Sequence, residues 1–86
     1  MTERLVGYVS HYFRRIEVAA IDLVDSLKVG DTIHFWGSTT DFEQEVVSMQ
    51  EDHGPIQEAE KGHSVGVKVK ERVRNRDRVY VTSKEE

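Results

Sequence analysis

At 86 residues, 37% of them hydrophobic, the chain has room for one thin core, since a protein of this size buries only about 60 to 65% of its unfolded surface. The absence of cysteine excludes a disulfide framework and a thiolate metal site. No apolar run nears the roughly 18 residues that cross a bilayer, and MTERLVGYV lacks the apolar centre of a secretory signal, so a cytoplasmic chain with no membrane contact is expected.

Six strands are read in chain order from period-two patterning and β-branched enrichment. The first covers residues 4–13, with Leu5, Val9 and Phe13 on one face, His11 in the same row, and Gly7 marking a bend or bulge. The second covers residues 16–23 and is apolar on both faces, so its inward face is open. Residues 27–37, LKVGDTIHFWG, are the most informative segment. Gly30 supplies a turn with positive φ, and the strand at 32–36 then points Ile33 and Phe35 inward and Thr32, His34 and Trp36 outward. The fourth strand covers residues 42–50, and Val47 and Met49 are assigned to the core by the resemblance given below.

Residues 51–63 form the one long connection, where Gly54, Pro55 and Gly62 oppose regular structure and a single helical turn is allowed. Val65, Val67 and Val69 line the fifth strand and Val79 and Val81 the sixth, while residues 83–86 are expected to fray. No stretch has the apolar recurrence of a helix. The expected architecture is all-β, one domain over residues 1–86, a small six-stranded antiparallel Greek-key β-barrel. An SH3-like or oligonucleotide-binding barrel is the runner-up.

Net charge is −4, yet the charge is divided along the chain. Seven acidic and no basic residues fall in 41–60, against eight basic and four acidic in 61–86, which gives opposed faces able to steer a partner. Lys68, Lys70, Arg72, Arg74, Arg76 and Arg78 recur at every second position. In an extended chain they form one cationic row at about 6.6 to 6.8 Å spacing, near that of nucleic-acid phosphates. The competing reading turns a corner at 74–78 and leaves the charges as a solvated face. Trp36 and His34, with Tyr8, Tyr12 and Tyr80, are expected on the outer wall, where aromatics serve base stacking or a protein interface.

Four histidines (His11, His34, His53 and His63) share no ligand spacing, so neither metal nor cofactor is expected, and a metal or small-ligand binder using the histidines is the third, weaker alternative. No nucleophile elbow or isolated carboxylate pair is present, and the reading is non-catalytic.

The Gly30 turn, the Val47-Ser48-Met49 segment and the Gly62 turn leading into the valine strand resemble, in order and spacing, the second domain of translational GTPases such as elongation factor Tu. That resemblance implies a translation-protein barrel associated with RNA or the ribosome. The family's aminoacyl pocket has an acidic residue where this chain has Ser48 and an arginine where it has Glu51, so the pocket itself does not transfer. Similar barrels also end some collagenase-like peptidases. The leading expectation is therefore RNA or ribonucleoprotein binding through Lys68 to Arg78 with Trp36 and His34. The alternative is a protein-interaction module or accessory subunit of a larger enzyme.

Overall fold

The computed structural model describes residues 2–52 and 54–83; His53 and the tail residues 84–86 fall outside them. Among the described residues ten strands occur in the order β1 (Thr2–Phe13), β2 (Val18–Leu23), β3 (Leu27–Lys28), β4 (Thr32–Trp36), β5 (Asp41–Glu45), β6 (Met49–Glu51), β7 (Gly54–Ile56), β8 (Glu58–Ala59), β9 (Ser64–Lys68) and β10 (Arg78–Ser83). All ladders are antiparallel. Eight strands form one sheet, β5-β4-β10-β1-β2-β9-β6-β7, and β3 pairs with β8. The all-β expectation holds, and the long connection holds β7 and β8 in place of a helical turn.

β1 sets the shape of the sheet. Its register slips between Leu5 and Gly7 against β10 and between Val9 and His11 against β2. Each slip swaps the faces of the residues beyond it. Val6 and Val9 therefore both enter the core although they lie three apart. The expected row of Leu5, Val9 and Phe13 is corrected accordingly: Leu5 is half-buried and Phe13 is 46% exposed.

β4 follows its sequence. Gly30 turns at φ 100°, and Ile33 and Phe35 are fully buried. Phe35 faces Phe42 across β4 and β5, with stacked rings 5.0 Å apart. The fourth predicted strand breaks in the middle. The Val46 N–H donates to the Asp31 carbonyl at 2.8 Å and its own carbonyl accepts from the Gly30 N–H at 2.9 Å. That anchor buries Val46 and turns Val47 outward, 65% exposed, before Met49 re-enters the core. Val47 was thus misassigned and Met49 was not. The inward valines 65, 67, 69, 79 and 81 are buried as read.

The chain passes from β5, at one end of the ladder order, to β6 near the other. No backbone ladder joins β5 to β7 among the described residues. A side chain ties β5 to the end of β9: the Gln44 amide donates to the Lys68 carbonyl at 2.7 Å and accepts from the Lys70 N–H at 2.9 Å.

Candidate functional site

Period-two alternation puts His34 on the outer face of β4, opposite Tyr80 of β10 and Glu43 of β5. Three carboxylates surround it. Nδ1 lies 2.7 Å from Glu3 Oε2, from β1, and Nε2 lies 2.7 Å from Asp41 Oδ1, at the start of β5. The imidazole is only 16% exposed. Burial pushes its pKa down, but the hydrogen bonds and charges of Asp41 and Glu3 outweigh burial and hold it above the ordinary histidine value. The Trp36 ring meets His34 edge-on at 5.8 Å, and Tyr80 tilts against it at 6.3 Å.

Asp41 also lines a neighbouring cleft of about 940 Å³, whose walls include Trp36, Arg72, Arg76, Arg78 and the turn residues 37–40. The arginine side comes from an irregular excursion. β9 ends at Lys68, Val73 dips back into the core at 1% exposure, and Arg76 takes a left-handed turn at φ 74°. The Arg76 N–H donates to the Val9 carbonyl at 2.7 Å, and the Val9 N–H donates to the Asp77 carbonyl at 2.8 Å, which fastens this corner to β1. The buried Asp77 carboxylate accepts from the Arg74 N–H at 2.8 Å. Gly37 lies so close to Asp77 that an added Cβ would overlap its carboxylate. A side chain at position 37 would therefore have to displace the Asp77 carboxylate, which is held by the Arg74 N–H.

The six cations do not form one extended row. Arg72, Arg76 and Arg78 gather with Trp36 at the cleft. Lys68 lies elsewhere, donating to the Ile16 carbonyl at 2.9 Å and sitting 3.8 Å from Glu17, with Lys70 beside it near Gln44. Arg74 is exposed and is not part of the cleft wall. Alternation from 68 to 78 failed as a guide because the chain leaves the sheet after Lys68. Glu3, Asp41, Glu43 and Asp77 were not singled out from sequence. For Asp41 and Glu43 a signal existed, since both occupy alternating outward positions directly after the Gly37 turn. Glu3 gave none, because it reaches His34 only through the β1–β10–β4 pairing.

Of the other histidines, the two described ones are separate from this cluster, and His53 lies outside the described residues. His11 packs edge-on against Phe13 at 4.5 Å, and His63 Nδ1 lies 2.6 Å from Glu51 Oε2. The Glu51 carboxylate, by hydrogen bond and then by charge, raises the His63 pKa above its usual value. Stability from this pair is therefore fully present below the unfolded histidine value of about 6.5 and is lost as pH rises through the folded value. Thermal melts at low salt should show His63→Gln losing that part of the pH dependence. A variant whose melts keep the full wild-type pH dependence would show that the pair contributes nothing. The Ser26 backbone N–H and then the Arg4 guanidinium, 2.8 Å away, hold the Asp25 pKa down.

No protein-family model matches the chain. It is 46% identical over 77 residues to the uncharacterized protease MJ0090 of Methanocaldococcus jannaschii, a match covering 88% of this chain and 19% of that protein. The chain thus spans about a fifth of the length of the curated relative it matches. Among solved structures it is similar to the C-terminal domain of a U32 peptidase of Geobacillus thermoleovorans, with TM-score 0.85 and 20% identity over 91% of each chain. The selenomethionine variant of that domain gives 0.84 at 19% identity, covering 88% of this chain and 96% of its own.

These matches overturn the likeness to elongation factor Tu and, with it, the reading as a translation-protein barrel that binds RNA or a ribonucleoprotein. Turn glycines and alternating valines are what any small antiparallel sheet requires, so they carried the fold and not the family. No helix in the described residues is long and apolar enough to cross a membrane.

Proposed function

We propose that this chain is a non-catalytic accessory domain of a protease-type protein and that its cleft beside Trp36 holds an acidic stretch of polypeptide. The 77-residue match confined to 19% of a protease carries the first half of this reading. The solved neighbours, described as a C-terminal domain, support it. His34 supports it chemically: a general base needs a ring nitrogen free to take a proton from a nucleophile, whereas both of its nitrogens are engaged by carboxylates.

The second half rests on the guanidinium groups. Arg72, Arg76 and Arg78 line the cleft together with Asp41, Glu71 and Asp77; Asp41 is engaged by His34 and Asp77 by the Arg74 N–H, and among the described residues none of the three arginines forms a salt bridge. A guanidinium matches a carboxylate in a bidentate fork. The net charge of −4 opposes a long polyanion at a distance, so a short acidic segment suits the cleft better.

Trp36 is the only tryptophan, and its fluorescence reports the cleft directly. Titration with a glutamate-rich peptide should change that signal saturably and weaken as salt is raised. The double variant Arg72→Ala/Arg76→Ala should lower affinity by about 5- to 30-fold, at roughly 0.5–1 kcal/mol for each exposed contact. Equal response to a lysine-rich peptide would refute the acidic occupant. Casein cleavage by the purified chain, abolished in His34→Gln, would refute the non-catalytic reading.

A further inference from the structure

We propose that Glu3, His34 and Glu43 form a binding site for one divalent first-row transition-metal ion, with Asp41 orienting the imidazole. One ligand atom from each of the three residues lies within 4.8 Å of the others. A zinc-class ion holds nitrogen and oxygen donors at about 2.0–2.2 Å in a tetrahedral set, so neighbouring donors stand roughly 3.3–3.6 Å apart. A pair at the 4.8 Å bound must therefore draw in by roughly 1.2–1.5 Å. Both glutamates are exposed at their strand positions, and rotation of their side chains supplies that movement while His34 stays fixed between β10 and β5.

The contacts of His34 already have the polarity of a metal site. Nδ1 faces Glu3, and Nε2 faces Asp41 at 2.7 Å. A histidine that ligates metal through one nitrogen typically donates its other N–H to a carboxylate, which fixes the ring and raises its basicity. Here the metal takes the Nδ1 side with Glu3 and Glu43, and Asp41 keeps the Nε2–H. A proton held on Nδ1 leaves to solvent as the ion binds.

Charge points the same way. Three carboxylates converge on a single imidazole, and among the described residues no lysine or arginine forms a salt bridge with Glu3, Asp41 or Glu43. A dication neutralises the two glutamates. One imidazole with two carboxylates suits zinc, manganese or iron(II) better than magnesium or calcium, which favour all-oxygen sets.

The full chain, purified without a tag, would be titrated calorimetrically with zinc chloride and with magnesium chloride, and by absorption with cobalt(II). One equivalent of zinc should bind, with no heat from magnesium at the same concentration, and cobalt should develop ligand-field bands. His34→Gln should abolish binding, Asp41→Asn should weaken it by about 10- to 100-fold, and His63→Gln should leave it unchanged. Circular dichroism would establish that each variant keeps its β spectrum, and the exposed Glu43→Gln gives a further variant that spares the core. Absence of stoichiometric zinc binding would overturn the proposal, as would zinc binding that survives both His34→Gln and Glu43→Gln or disappears in His63→Gln.

Discussion

Phe35→Ala should destabilise the fold by about 3–5 kcal/mol. Phe35 is the largest of the fully buried side chains, and its ring stacks on Phe42 at 5.0 Å with 24° between the planes. Truncation removes that contact and leaves a void that the flanking strands can fill only by bending, since Phe35 is paired on both sides, with Val79 of β10 and Phe42 of β5. Small proteins are stable by only about 5–15 kcal/mol, so the loss takes a large share of the whole. Urea unfolding should show a sharply lower midpoint with the slope retained. A shift worth less than about 1 kcal/mol would mean that the β4–β5 layer is not the centre of the core.

Gly7→Ala is the second change with a large expected effect. An alanine Cβ there would stand 2.6 Å from the Asp22 carbonyl oxygen and 2.8 Å from Ile21 Cγ2. The first obstacle is backbone of the paired strand β2 and the second is a fully buried core side chain, so neither can move aside cheaply. Relief requires β1 and β2 to part near Gly7, where the Val6 carbonyl accepts from the Val24 N–H at 2.8 Å. A loss of about 1–3 kcal/mol is expected, as for other overpacked sites. Amide exchange should show protection falling first at Val24 and Asp25, whose N–H groups both donate to the Val6 carbonyl. Unchanged exchange and an unchanged melting temperature would show that the bend at Gly7 tolerates a side chain.

Much of the framework was legible in the sequence. Gly30 announced its turn, Ile33 and Phe35 announced an inward face, and the valines of the last two strands announced theirs, because local chain geometry and period-two burial act over a few residues. Legibility failed at Val6, Val47 and the basic run for one shared reason. Alternation specifies a face only while the ladder is unbroken. The two slips in β1, the Val46 anchor and the departure from β9 after Lys68 each reset it. The site suffered more than the fold, because Glu3, His34 and Glu43 lie 31 and 9 residues apart along the chain and meet only through strand order.

The sequence by itself determined an all-β chain, its glycine corners and most of its inward side chains, since these follow from φ preferences and the two-residue repeat of a strand. Tertiary structure alone decided that β10 inserts between β1 and β4, that three arginines of an apparent row gather at Trp36, and that three carboxylates converge on His34. The pairing of distant strands is chosen by the burial of the whole core at once, and no local pattern carries that information.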